Sequence, residues 1–210
     1  MTFMPAILLT SSSMQGFAAF CAIFATAAFR VIDTHAGSGL YDLGGEKALR
    51  GGEWQDGIGK LMAAKIPEAT AALLWPYLEV VRALNERNRL RVYPGSRALA
   101  RAWLRAQDRL IACEPEPKAS SSLTRNLEGD ARIKNGWTAM NAYVPPRERR
   151  GLVLVDPSFE TDSDFPRLAS GLAAAHHKWA TGIYMLDKKV GGRRMPLPSE
   201  CVGCDQGAPR

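Results

Sequence analysis

The stretch Gly151-Leu152-Val153-Leu154-Val155-Asp156-Pro157-Ser158-Phe159 decides how this chain is built. Residues 152–155 are apolar without interruption. A half-buried strand alternates, so a continuous run of this length is the pattern of a strand covered on both faces, as in a parallel sheet. The run stops at Asp156-Pro157, where proline removes a ladder donor. Similar short strand patterns occur at 29–32 before Asp33, at 109–113 before Glu114, at 131–133, and at 181–186. Between them lie helical patterns. Trp54, Ile58, Leu61, Ala72, Trp75, Leu78 and Val81 fall at helical spacing within 53–88, with Pro67 and Pro76 as starts or breaks. Ser96, after Pro94-Gly95, is placed to N-cap a helix over RALARAWLRAQD (97–108), and 166–178 reads as another helix. Strands alternating with helices predict an α/β fold with a parallel sheet, helices on both faces and a helical insert at about 46–92.

The chain has 210 residues, 46% apolar and 23% charged, which suits one domain and excludes disordered and fibrous classes. The balance of 27 basic to 21 acidic residues gives +6, which permits a polyanionic partner without requiring one. Four cysteines, at 21, 113, 201 and 204, are too few and scattered for a disulfide scaffold. No apolar run is long enough for a confident membrane span, so no membrane partner is expected. Cys201-x-x-Cys204 is half a zinc site without a second pair, so no metal is expected. His176-His177-Lys178 reads as a solvated helix end, and the five tryptophans as packing. Arg147-Glu148-Arg149-Arg150 suits either phosphate contact or a plain charged loop.

In a parallel sheet, ligands bind at the carboxyl ends of the strands. The residues there are Asp33-Thr34-His35-Ala36-Gly37-Ser38-Gly39, Glu114, Asn135-Gly136 and Asp156-Pro157-Ser158-Phe159. Gly37 and Gly39 allow close backbone approach, although the third glycine of the dinucleotide fingerprint is absent. Glu114 suits ribose hydroxyls but lies far beyond the usual spacing of about 20 residues, which makes 46–92 an insert. A buried strand followed by Asp-Pro-X-aromatic is the signature of enzymes that methylate exocyclic amines of bases. The amine of adenine is a poor nucleophile because its lone pair is delocalised into the ring. Acceptors on its two hydrogens, the Asp156 carboxylate and the Pro157 carbonyl, favour the geometry in which that pair can attack. Phe159 can stack on an extracted base. Taken alone the tetrapeptide is also an ordinary Asp-Pro turn; the glycine turn and Glu114 upstream turn the balance.

Five blocks, VIDTHAGSGLYDLG, GEWQDGIGKL, YPGSRALARAWLRAQDRL, NGWTAMNAYVPPRERRGLVLVDPSFE and HKWATGIYML, resemble in order those of the RlmJ-type 23S rRNA adenine-N6 methyltransferases, over about 29–186. The resemblance implies a class I, Rossmann-like methyltransferase fold, S-adenosylmethionine as methyl donor, and an adenine of 23S rRNA as substrate. It implies a cytoplasmic monomer. Carried onto this sequence, it puts Asp33, His35, Gly37, Gly39, Ser96, Glu114, Asn135 and Gly136 at the donor, with Glu114 on the ribose and Asn135-Gly136 at its adenine. Asp156, Pro157 and Phe159 become the catalytic group. The chain departs from the family at Asn135, where the family has Asp, and at Ser158, where it has a second proline.

The ends depart further. Met1 to Phe29 carries no charged residue, and so lacks the basic start of a signal peptide. MPAILLTSSSMQ (4–15) can be written in codons that, read one nucleotide earlier, give the family's basic opening segment HAGNFADVFKHA. The expectation is therefore that 1–28 is out-of-frame translation. It is also that 187–210, rich in Gly, Pro, Lys and Arg, is a disordered-looking tail standing where the family continues with further strands. Two function classes stay open at this point: an active rRNA adenine-N6 methyltransferase, or an incomplete, catalytically weak remnant that binds donor or RNA.

Overall fold

A computed structural model of the chain describes residues 27–52, 54–86, 89–126, 131–132, 135–157, 159 and 161–186. The expectations for 1–26 and 187–210 lie outside the described residues, as does the Cys201-x-x-Cys204 pair. Strands β1 (Arg30–Asp33), β4 (Arg109–Cys113), β5 (Ala131–Arg132), β6 (Gly151–Val155) and β7 (Ile183–Leu186) form one sheet in the order β5-β4-β1-β6-β7. Every pairing is parallel. β1 lies at the centre, and Asp33 is level with Ala112 of β4 on one side and Leu154 of β6 on the other.

The continuous apolar strands are explained by what covers them. Val31, Leu152 and Leu154 pack on one face with Phe29, Leu110 and Ala100. Ile32, Val153 and Val155 pack on the other with Met140, Val144, Ala175 and Trp179. All five residues of β6 are buried. Each fully buried Val or Leu side chain contributes roughly 1.5–3 kcal/mol, so neither face of this strand can turn to solvent. The first face is covered by α4 (Ser96–Trp103), and α5 (Pro117–Asn126) packs Leu123 against Ala112 of β4. The second face is covered by α6 (Gly136–Ala142) and α7 (Asp164–Lys178).

The insert contains β2 (Leu40–Asp42), α1 (Glu46–Gly51), a π turn over Gln55–Gly59, α2 (Lys60–Ala63), α3 (Glu68–Ala83) and β3 (Val92–Pro94). β2 and β3 form an antiparallel ribbon in which Tyr41 opposes Tyr93. The insert has its own core of Leu43, Ile58, Leu74, Tyr77, Leu78, Val81 and Tyr93, which Leu99 of α4 joins to the body. Asn85 closes it: its amide donates to the Val81 and Val92 carbonyls, and its oxygen accepts from the Arg91 and Val92 N–H groups.

Four sequence expectations are corrected. Pro67 precedes α3, but Pro76 lies inside it, where the helix runs on and the Pro76 carbonyl accepts from the Trp103 indole at 3.4 Å. Gly95 is the N-cap of α4, so Ser96 is its first residue and its hydroxyl is used elsewhere. That helix ends at Trp103 rather than at residue 108. Asp108 stops it, accepting from the Arg105 N–H and guanidinium and from the Phe29 N–H, so 105–108 becomes a turn that seats the start of β1. Trp75 also departs from the packing role expected of the tryptophans. It is 54% exposed, with the Arg82 guanidinium 5.5 Å from its ring.

His176, His177 and Lys178 are exposed at the end of α7. Arg30 and Glu148 form a two-bond pair at 2.8 and 2.6 Å, and the Arg30 N–H donates to the Arg150 carbonyl. The basic loop 147–150 therefore sits at the amino ends of β1 and β6, opposite the edge where a ligand would bind. Of its two open readings, this placement favours the charged loop. Among the described residues no helix is long and apolar enough to cross a membrane, and no group of three or more His, Cys, Asp or Glu side chains could hold a metal ion.

Candidate active site

The parallel register sets three acidic residues on adjacent strand ends: Asp33 on β1, Glu114 after β4 and Asp156 after β6. The chain leaving β1 is tied to both neighbours. The Thr34 N–H and hydroxyl both donate to the Leu154 carbonyl, at 3.0 and 2.9 Å, and the Ala36 N–H donates to the Cys113 carbonyl at 3.0 Å.

Asp33 is buried, and both its oxygens are used. One accepts from the Ser96 hydroxyl at 2.6 Å and the other from the His35 N–H at 3.3 Å. Asp33 thus holds the β1 turn against the start of α4. Burial pushes its carboxyl up to about 6, against the opposing pull of those two bonds. Glu114 does the same from the other side. One carboxylate oxygen accepts from the Gly37 N–H at 2.9 Å and the other from the Glu116 N–H at 2.8 Å. Burial raises its pKa, and each oxygen keeps a second lone pair for a hydroxyl.

Gly37 and Gly39 have φ of 59° and 77°, the left-handed region that favours glycine. The Gly39 carbonyl accepts from the Gly95 N–H at 2.8 Å, which brings the two glycine segments side by side.

His35 is held neutral: burial lowers its pKa to about 4, opposed by the nearby charge of Asp164. The Thr34 hydroxyl spends its proton on the Leu154 carbonyl, so at its 2.8 Å contact with His35 Nδ1 it accepts. Nδ1 therefore carries the ring hydrogen and Nε2 keeps a lone pair. Gly136 is required beside it. A Cβ there would overlap the Thr34 carbonyl and come within 2.9 Å of His35 Nε2. Asn135 caps α6, its side chain accepting from the Trp137 N–H at 2.9 Å. Asn and Asp both supply the acceptor oxygen that such a cap needs.

Beyond β6, Asp156 and buried Pro157 follow the strand, and Phe159 takes φ 49°. A phenylalanine in that region is strained. Its ring stacks on Phe165 of α7, with centroids 4.5 Å apart and planes at 20°. The same end of α7 brings Asp164 near His35 and the Arg167 guanidinium over the Trp137 ring at 5.2 Å. Trp137 in turn meets the His35 ring edge-on at 5.2 Å.

The structure therefore gathers Asp33, His35, Gly37, Gly39, Ser96, Glu114, Gly136 and Asp156 at one sheet edge, with Asn135, Pro157 and Phe159 adjoining it. Tyr41, Trp137, Asp164 and Phe165 join them and were not singled out from the sequence. The only sequence signals for them were closeness to the glycine turn, to Asn135-Gly136, or to the Asp-Pro loop.

A central strand flanked by two others, with a glycine turn, a strand-end glutamate and an Asp-Pro-aromatic loop, is the frame of a class I methyltransferase. The chain belongs to the family described as Ribosomal RNA large subunit methyltransferase D, RlmJ, whose model matches residues 26–194. Two curated relatives named Ribosomal RNA large subunit methyltransferase J are similar. The Escherichia coli protein is 39% identical over 162 residues, and the Haemophilus influenzae protein 34% identical over 164. Each alignment covers 75% of this chain, which spans 57% of the relative's length. The crystal structure of protein LPL1258 of Legionella pneumophila superposes with a TM-score of 0.73 at 29% identity, covering 82% of this chain and 65% of that one.

Proposed function

We propose that the site transfers a methyl group from S-adenosylmethionine to N6 of an adenine in 23S rRNA. The observation that carries this reading is the adjacency of β1 and β6. It sets the Asp156-Pro157 loop beside the glycine turn, so that a donor and an acceptor amine would meet between them. Family membership and the names of the relatives support the same reaction class.

The donor-side residues fit a nucleoside with a charged tail. Glu114 offers two fixed carboxylate oxygens to ribose hydroxyls. Gly136, at the start of α6, lets the backbone lie close against His35. Asn135 would meet the donor adenine, where its amide can bond a ring edge. Bound there, S-adenosylmethionine would supply an electrophilic methyl carbon. Asp156 and the Pro157 carbonyl would accept the two N6 hydrogens of adenine, orienting the nitrogen lone pair toward that carbon. The amine hydrogen lost after transfer leaves through the acceptor it already faces. Phe159, seated on Phe165, would stack on the base.

The test is transfer of radiolabelled methyl to 23S rRNA that lacks the modification, using the full chain. Label in N6-methyladenine after nuclease digestion is the expected result. Absence of label, with donor binding measured on the same sample, would overturn the reading.

A further inference from the structure

The turn between β1 and β2 is shaped by a residue within VIDTHAGSGLYDLG that the proposed function gives no role. Tyr41, on β2, reaches back over the glycine turn that precedes it. A Cβ built on Gly37 would overlap the Tyr41 hydroxyl. The edge of the same ring lies 3.1 Å from where a Cβ on Gly95 would sit. One side chain therefore rests on both glycine segments, the one that leaves β1 and the one that starts α4. The Ser38 backbone, between the two left-handed glycines, lies close to the phenol oxygen. The hydroxyl also lies within reach of the charges of Asp33, Glu114 and Asp156, the three carboxylates at the ends of β1, β4 and β6. Burial keeps the phenol protonated, so it enters that group as a neutral dipole and not as a fourth negative charge.

Tyr41 is itself anchored in the insert. It opposes Tyr93 across the β2–β3 ribbon, and the Tyr77 hydroxyl of α3 donates to the Tyr93 hydroxyl at 3.0 Å. A line of three tyrosines thus runs from the middle of the insert to the donor turn.

We propose that Tyr41 is a positioning residue of the donor site: its hydroxyl and ring hold the Gly37–Gly39 turn against Gly95 in the shape that receives the donor. This rests on the proposed donor and deepens that reading by naming what fixes the turn. It also gives the insert a part in donor binding through Tyr77 and Tyr93. A turn held in its binding shape before the ligand arrives costs less to order on binding.

The test is titration of S-adenosylmethionine into the full chain, with a thermal melt on each sample. Tyr41→Phe keeps the ring and removes only the hydroxyl. It should raise the donor Kd about tenfold, the scale of one lost polar contact, and move the melt by no more than about 3 °C. Gly37→Ala should weaken binding in the native background. It should do so by a smaller factor in the Tyr41→Phe background, because the overlapping oxygen is gone. Such coupling between two positions is what a purely local stability effect at each would not produce.

A Tyr41→Phe chain that binds donor within twofold of wild type overturns the inference. So does strict additivity of the two substitutions, or a lost cooperative melt that accounts for the binding loss. Wild-type protein that does not bind the donor at all contradicts the proposed function instead, so the two failures are distinct.

Discussion

The two halves of the site are held by different forces. On the donor side, carboxylates grip backbone. Asp33 accepts from His35 and Ser96, Glu114 accepts from Gly37 and Glu116, and Gly39 accepts from Gly95. On the acceptor side, rings hold rings: Phe159 rests on Phe165, and Trp137 lies between Arg167 and His35. Directional bonds of fixed length suit a turn that, under the proposed function, would receive the same nucleoside each cycle. Stacked rings can slide and separate without leaving a buried polar group unpaired. That suits a loop that, under the proposed function, would admit and release a base. With the proposed function, the contrast predicts donor affinity from one half and turnover from the other.

The sharpest test of the donor half is its pH dependence. Asp33 has a folded pKa near 6 against an ordinary 3.8, so its stabilising contribution is full below pH 4 and is lost as pH rises toward 6. About two pKa units correspond to roughly 3 kcal/mol. His35 has the opposite sign: its folded pKa is near 4 against an ordinary 6.5, so its contribution is full above pH 6.5 and is lost as pH falls toward 4. The windows overlap, and in the native chain they largely cancel. Asp33→Asn should leave a melting temperature that climbs from pH 4 to 6.5, and His35→Gln one that falls from pH 4 to 6. Two flat profiles would break the buried-carboxylate account of this half.

Glu114→Gln comes next. It keeps the side chain's shape but trades one acceptor oxygen for a donor amide, facing either the Gly37 or the Glu116 N–H. Donor Kd should rise by about tenfold to a hundredfold, the range for bonds to a charged acceptor. Isothermal titration checks it, and the affinity for rRNA should be unchanged.

The acceptor half gives a smaller effect. Phe165→Leu removes the platform under Phe159 and should lower kcat by about threefold to tenfold, from an aromatic pair worth about 0.5–1.5 kcal/mol. Donor Kd should stay within twofold. A loss that falls on donor binding instead would mean that α7 serves the donor half. The smallest effect belongs to the far end of the sheet. Glu148→Gln weakens the pair with Arg30. It should lower the melting temperature by about 2–4 °C, as roughly 1 kcal/mol does in a chain of this size, with kcat and both affinities unmoved.

The same contrast governs what could be read from the sequence. The sheet was legible because β4 and β6 are continuous apolar runs, and the strand-end rule then pointed to Asp33, Glu114 and Asp156. The ribbon strands β2 and β3 were not legible. Each has three residues of mixed polarity, and each exists only because the other pairs with it across the insert. Helix α5, PKASSSLTRN, carries no apolar stripe, and of its side chains described here only Ala119, Ser120 and Leu123 are buried. Ser96 was found by its position as a helix start, but its hydroxyl serves Asp33 and not the helix. Tyr41 and Phe165 escaped because their roles come from neighbours brought by folding, Gly37 and Gly95 in one case and Phe159 in the other. Carboxylate chemistry at strand ends leaves a mark in sequence; ring contacts leave much less.

Asp156→Ala tests the division of labour most directly. The full chain and this variant are titrated with S-adenosylmethionine and then assayed for methyl transfer to unmodified 23S rRNA. The account predicts a donor Kd within twofold of wild type and a turnover at least about a hundredfold lower, the lower range for loss of a positioned proton acceptor. A donor Kd that rises as steeply as turnover falls would contradict it, because Asp156 would then belong to the donor half and not to the amine.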